Sequence, residues 1–380
     1  MKLQQHTYIN GVWSDIASSG IKNKDKAGLV LVFGNADLLT QQANFDFLRN
    51  QYPVADLVFA STAGEIANGH VLDNSIIATA IAFDKTRTRA LSLALGSDCN
   101  SYEAGQRLFE QLLEDDLCYL FVISDGIRIN GSDLVSGLNS ANFDNIPITG
   151  GLAGDEDKFK STATGLNCIP GEGNVVAVGF YGKNLLIGHG SIGGWDEFGY
   201  ERTITKSHKN VLYQIDGKSA LSLYKEYLGD YVKELPGSAL LFPLSIKNAG
   251  NDMPLVRTIL AVNEAEDSMT FAGNMPEGSK VKLMKGNFGK LIQAAADASE
   301  ISVGKLNDNE PDLVILISCV GRKIILQKRI DEEVEATGDV FGPGVSIAGF
   351  YSYGEITPLK SDTKCELHNQ TMTITAFKEL

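Results

Sequence analysis

The sequence predicts an α/β protein of two related modules, built from repeated strand–helix–strand–strand units with mixed sheets covered by helices. Three observations carry that expectation. Short, wholly apolar runs such as GLVLVFG, CYLFVIS and DLVILIS have the length and continuity of buried strands. Stretches with apolar residues at helical spacing follow them. Each unit then closes on a second apolar run that stops at glycine and a carboxylate: STAGEI at 61–66, GGLAGDE at 150–156 and SYGEI at 352–356. The units run over 29–66, 118–156 and 312–356. They share a pattern without a short fixed period, so no solenoid is expected. A chain of 380 residues is long for one core, which favours two domains.

Residues 1–27 are polar and mixed, and read as an N-terminal extension with a leading strand and a linker. GLVLVFGNADLL (28–39) reads as a strand. Phe45, Phe47 and Leu48 mark a helix that Pro53 terminates. DLVFASTAGEI returns as a strand. NSIIATAIAFD (74–84) and TRALSLALG (88–96), joined by a charged turn, read as a hairpin. SYEAGQRLFEQLLEDD (101–116) is an amphipathic helix with Ser101 as its expected N-cap. A strand (118–126), a short helix (130–142) and a strand running into a glycine-rich turn (146–156) follow. TATGLNC, NVVAVGFYG and NLLIGHGSIGGW complete the first half as strands.

In the second half, NVLYQIDGKSALSLYKEYLG (210–229) carries a helix, and ALLFPLSI, VRTILAVN and SMTFAGNM read as strands. GNFGKLIQAAADASE is a helix, DLVILISCVG a strand, IILQKRIDEEVEATG (324–338) one helix, and VSIAGFYSYGEI a strand. ELHNQTMTITAF (366–377) alternates apolar and polar residues, as a half-buried strand does. Polarity rises in ERTITKSHKN, so the modules are placed at 28–205 and 206–380.

The net charge of −14 argues against a nucleic-acid partner and against anionic membrane surfaces. Five scattered cysteines, with no CxxC pair, argue against a disulfide framework. No signal peptide and no apolar run long enough to span a bilayer stand out, so a cytoplasmic location is expected.

No phosphate-binding GxxxxGK[ST] motif, no GxGxxG after the first strand and no GxSxG elbow is present. Cys319 sits at a strand end before a helix, where a thiolate can be stabilised, but a small buried cysteine is the commoner reading. The five histidines form no zinc motif. A single axial histidine suffices for haem. His368, in an alternating strand, and His189, between glycines that would leave open space beside it, lead as ligands. His70 falls on a loop after the GEI turn. Glu65, Asp125, Asp155 and Glu355 lie at strand ends. On parallel strands such ends converge on one rim, where α/β sheets bind ligands. Capping of local turns is an equal alternative.

STAGEI, SDGIRINGSDLVSGL (124–138) and PITGGLAGDEDKF (147–159) resemble the N-terminal module of the FIST sensory domain. GGWDEFG (193–199), NVLYQIDGKSALSLYKEYLG, VRTILAVNEAEDSMTFAGNMPEGSKVKLM (256–284), SCVGRK (318–323), GFYSYGEI (349–356) and LHNQTMTI (367–374) resemble its C-terminal module. The resemblance spans about 28 to 377. It implies a ligand-binding sensory input protein of bacterial or archaeal signalling. The chain resembles the stand-alone type, which includes the nitric-oxide-sensing haem proteins called NosP. Output would pass to a separate histidine kinase or cyclic-di-GMP synthase or phosphodiesterase, with homo-oligomerisation left open. The expectation is therefore haem b on His368 or His189, sensing nitric oxide. The alternative is a haem-free sensor of a small polar ligand such as an amino acid. The ligand pocket would draw on Glu65, Asp125, Gly150, Gly151, Asp155, Trp195, Cys319, Tyr353, Glu355, Asn369 and Thr371. A second alternative, an enzyme using Cys319 or the strand-end carboxylates, has no supporting motif.

Overall fold

Three parallel strand pairs organise the molecule. In the computed structural model, which describes residues 1–18, 21, 26–67, 69–96, 99–235, 237–247, 254–359 and 363–380, Leu29–Gly34 pairs with Asp56–Ser61, Leu117–Ser124 with Ile148–Leu152, and Leu313–Cys319 with Ser346–Ser352. Parallel neighbours need a crossover. Helices Gln42–Gln51, Gly131–Ala141 and Ile330–Phe341 lie on those crossovers. An antiparallel strand then flanks the first member of each pair: Ile76–Ala82, Asn174–Tyr181 and Met372–Glu379. The three units expected from the sequence are thus three copies of one α/β arrangement, each inside its own six-stranded mixed sheet.

The segment after each unit joins the sheet of another. Glu65–Ala67 leaves unit one and pairs with Ser346–Ser352 of unit three. Gly354–Pro358 leaves unit three and pairs with Ile148–Leu152 of unit two. Thr164–Leu166 leaves unit two and pairs with Asp56–Ser61 of unit one. The exchange is cyclic and locks the three sheets together. Their inner faces share one core, in which Phe33 meets Phe350 at 4.7 Å between ring centroids and Tyr119, Phe180 and Phe377 pack on one another. Each fully buried ring of that size contributes roughly 1.5–3 kcal/mol. Helices cover the outer faces.

The chain leaves this scaffold at Gly193 and returns near Asn287. Between them lies an antiparallel eight-stranded sheet carrying helix Ala220–Leu228, with its own core of Ile204, Leu212, Leu244, Met269, Phe271 and Val281. The division placed at 205/206 falls inside its first strand, Trp195–His208. The polarity that suggested a boundary is the exposed face of that strand.

Other readings change as well. Residues 1–27 are no mere extension: Lys2–Ile9 is an inner strand of unit one's sheet, between Val12–Ser18 and Ile76–Ala82. Ile76–Ala82 and Arg87–Ala94 form no hairpin. The first has partners on both sides, and the second turns into unit two's sheet beside Asn174–Tyr181. The helix expected over 324–338 is two, Val320–Leu326 and Ile330–Phe341, broken at Gln327, whose φ is +49°. The closing strand, expected to be half-buried, is fully buried over Met372–Phe377, and its polar members have partners: Thr375 Oγ1 meets Thr149 Oγ1 of unit two's sheet at 2.7 Å, and Thr373 Oγ1 meets Ser191 Oγ of the neighbouring strand in its own sheet at 2.9 Å. The N-cap of the 101–112 helix is Asn100, in a capping box with Glu103, in place of Ser101. No helix among the described residues is long and apolar enough to cross a membrane.

Candidate functional site

The parallel strands of all three units end on a common rim, and there the expected acids divide by role. Asp125 is fully buried at the end of Leu117–Ser124. Its Oδ1 accepts from the backbone N–H of Ile127 and Arg128, both at 2.7 Å, and its Oδ2 from Gly173 at 2.7 Å. All its capacity goes to turn closure, the local-capping alternative. Glu65 and Glu355 are also buried, and their hydrogen bonds match atom for atom. Glu65 accepts from Thr62, three residues back, at 2.5 Å and from the Ser75 N–H and hydroxyl at 3.2 and 2.6 Å. Glu355 accepts from Ser352, three residues back, at 2.7 Å and from the Thr371 N–H and hydroxyl at 3.2 and 2.8 Å. Each carboxylate ties an exchanged segment to the start of the next antiparallel strand. Desolvation outweighs the donated hydrogen bonds and raises the carboxyl to about 7 in Glu65 and about 8 in Glu355. Among the described residues, the Asp155 carboxylate accepts a 3.3 Å bond from Ser161 N–H and lies 3.8 Å from the Lys158 ammonium.

Gly150 and Gly151 belong to the core. A Cβ on Gly150 would lie 1.8 Å from the Val122 carbonyl oxygen, and one on Gly151 would lie 2.8 Å from Ile317. Cys319, Glu355, Asn369, Thr371 and Trp195 come together at the turn before Met372–Glu379. Cys319 N–H donates to Thr371 O at 3.1 Å, and Trp195 Nε1–H to Gln370 O at 2.9 Å. Arg322 reaches the same carbonyl at 3.4 Å and forms a fully buried pair with Glu333, to which Tyr351 and Ser318 also donate. Both amide atoms of Asn369 are buried without a partner in this turn. Burial, with Glu355 beside it, pushes the Cys319 thiol well above its usual range. That is the reverse of thiolate activation.

The two leading histidines do not fit a haem. His368 is 2% exposed, and its Nε2 lies 3.0 Å from the Thr357 carbonyl oxygen. Around His189, Cβ positions on the flanking Gly188 and Gly190 fall 1.8 Å from Ser302 O and 2.1 Å from Ala298 O, so helix Phe288–Val303 fills the space expected to be open. The Lys305 ammonium sits 3.3 Å from Nδ1 and 3.4 Å from Nε2 of the same ring. Desolvation holds both imidazoles down to about 4, with Lys305 adding to it at His189 and Arg257 at His368. Both rings are neutral, but neither presents an open face.

Among the described residues, cavities open at two places on the rim. One, of about 570 Å³, lies where unit three's strand end meets unit one's exchanged turn, and is lined by Asp73, Glu156, Asp157, Lys323 and Asp331. Its lysine is already engaged, donating to Ala63 O at 2.8 Å and pairing with Asp73. The other, of about 540 Å³, occupies the corresponding place in unit two and is walled by both parts of the molecule. Arg128, Asn130, Phe159 and Tyr353 form one wall. Asn210, Ala261, Thr270 and Phe271 of the inserted sheet form the other. Phe159 stacks on Tyr353 with centroids 4.4 Å apart. Asn130 caps helix Gly131–Ala141 and holds its dipole's positive end at the cavity. Of the residues expected in the pocket, Tyr353 is the one on this wall. The sequence placed a helix over 130–142 but showed neither the cap that Asn130 makes nor its partner across the seam, Asn274, 3.0 Å away.

A FIST N domain model matches residues 28–218, and a FIST C domain model matches residues 220–358. The chain is 24% identical over 320 residues to an uncharacterized protein of Methanocaldococcus jannaschii, which covers 74% of this chain. The match takes in 57% of the archaeal protein's length. The chain belongs to the FIST family, whose domains are sensory domains that take small ligands in signal transduction.

Proposed function

We propose that this chain senses a small polar ligand held in the cavity between unit two and the inserted sheet, and hands the bound state to a separate histidine kinase or cyclic-di-GMP enzyme. The observation that carries the reading is the position of that cavity. It lies at the C-terminal ends of a parallel pair, against a helix N-terminus, and its two walls come from parts of the chain with separate cores. Its volume falls within the roughly 300–1,000 Å³ usual for small-molecule sites. A ligand touching both walls changes how they sit together, and that change is what a partner reads. The lining favours a flat or chain-like molecule with hydrogen-bonding groups, stacked on Phe159 and Tyr353 and directed by Asn130, Asn210 and Thr270. The reading is haem-free.

The test is a thermal-shift screen of small polar metabolites on the full chain, repeated on Ala261→Trp, which puts a bulky ring into the cavity. A ligand present at a hundredfold its dissociation constant stabilises the protein by about 2.7 kcal/mol. The shift should vanish in Ala261→Trp. A ligand that still shifts that variant sits elsewhere. A stoichiometric Soret band after expression with haem would overturn the haem-free reading.

A further inference from the structure

Beside the large cavity lies a smaller one, of about 140 Å³, on the other side of the hydrogen bonds that Asn274 makes to Asn130 and Ser132. Ser132 and Ser136 of helix Gly131–Ala141, Arg257 and Asn274 of the inserted sheet, and Glu366 and Leu367 of strand Cys365–His368 line it. Arg257 is 4% exposed. Its Nε donates to Asn274 O at 3.3 Å, and its Nη1 donates to Val256 O at 3.2 Å and Leu367 O at 2.9 Å. Its Nη2 has no hydrogen-bond acceptor, and no carboxylate pairs with it, among the described residues. Glu366, close enough for its charge to act on Arg257, lines the same cavity, and its carboxylate accepts no hydrogen bond among the described residues.

A buried guanidinium is costly without a counter-charge. Here Glu366 lines the same cavity without a salt bridge to the arginine, which three backbone carbonyls hold in place. Two opposite charges that line one small cavity, and that the described residues leave without a salt bridge, are complementary to a molecule that carries both signs. We propose that this cavity is a second binding slot, for a small zwitterion that sets its carboxylate on Arg257 and its ammonium on Glu366. The first turn of the eleven-residue helix lies at the arginine end and favours the negative group there. The Ser132 side chain, whose oxygen accepts from Asn274 N–H at 3.1 Å, adds a hydroxyl donor at that end. Size restricts the choice further. At about 30 Å³ for each water-sized group, the slot takes about five non-hydrogen atoms. That is glycine, with alanine at the upper limit.

The slot shares no lining residue with the large cavity and does not depend on the function proposed for it. Calorimetric titration of the full chain with glycine, L-alanine, L-leucine, acetate and methylammonium tests it. Glycine should bind at least tenfold more tightly than acetate or methylammonium, and L-leucine should not bind in the slot. Glu366→Gln should erase the preference for glycine over acetate, and this half-buried strand position tolerates an isosteric change. Arg257→Gln should abolish glycine binding. Ala261→Trp, which obstructs the large cavity, should leave it unchanged. Equal binding of acetate and glycine, no binding of glycine, or glycine binding that survives Glu366→Gln at full preference overturns the slot. Loss of glycine binding in Ala261→Trp would assign the ligand to the large cavity instead.

Discussion

At the scale of single residues, carboxylates that looked like pocket acids turn out to hold the fold. Glu65 and Glu355 were conspicuous because each follows glycine at a strand end. Nothing in the local sequence shows where Ser75 and Thr371 will be, so the role was not readable. Their pH behaviour follows from burial. The folded-state values, about 7 and about 8, lie above the ordinary carboxyl value of 4.5. Folding therefore favours the protonated form. The associated stability is complete below about pH 4.5 and is lost as pH rises through 7 to 8. Urea denaturation should show wild-type stability falling by a few kcal/mol between pH 5 and pH 8. Glu65→Gln/Glu355→Gln should flatten that slope, and a double variant with the wild-type slope would contradict the assignment. The Arg322–Glu333 pair behaves differently, because both members are fully buried. Removing one leaves the other uncompensated, so Glu333→Gln should cost about 3–5 kcal/mol. A loss below about 1 kcal/mol in chemical denaturation would place that arginine in contact with water. Arg257 did leave a trace in the sequence, as a lone charge in the apolar run PLVRTILAV, but only the fold shows that it is buried and that no carboxylate of the described residues forms a salt bridge with it.

Among the elements, buried strands were the most legible, because a wholly apolar run between turn residues has few other uses. What escaped was partnership. Ile76–Ala82 and Arg87–Ala94 are consecutive, and consecutive strands usually pair, yet they belong to different sheets. The cyclic exchange has the same character, since each exchanged segment pairs with a strand far away in sequence. Glycine shows where this close approach is enforced. Gly150 has a φ of +157°, and its Cβ position lies inside the neighbouring strand's backbone. Gly150→Ala should therefore lose about 3 kcal/mol or more, or fail to fold, because backbone cannot move aside as a side chain can. Gly171, whose Cβ position meets only Asn174 Nδ2 at 3.8 Å, is the control. Gly171→Ala should stay within about 0.5 kcal/mol of wild type by thermal denaturation. Equal effects at the two positions would mean that the exchange leaves more room than the strand spacing allows.

For the whole molecule, the α/β scaffold is discontinuous in sequence and the inserted sheet is continuous, so the two parts do not meet at the joint placed at 205/206. Composition could not reveal this, because both parts are ordinary mixtures of apolar and polar residues and the joints at 193 and 287 are short. The two parts meet at a polar seam by the candidate cavity. There Asn274 accepts from Asn130 Nδ2 at 3.0 Å, donates from its own Nδ2 to Asp133 at 2.8 Å, and donates its N–H to Ser132 at 3.1 Å. Asn274→Ala removes the two side-chain bonds and keeps the backbone one. At roughly 0.5–1.5 kcal/mol for each bond, the seam should loosen by about 1–3 kcal/mol. Neither core loses an apolar contact. Hydrogen exchange should then quicken in Ser268–Phe271, on the seam side of the inserted sheet, and remain slow in Leu313–Cys319 at the centre of the scaffold. Uniform quickening would mean that the two parts unfold as one unit. In that case a ligand could not be signalled by their relative movement, and the output would have to be read from the surface of the scaffold itself.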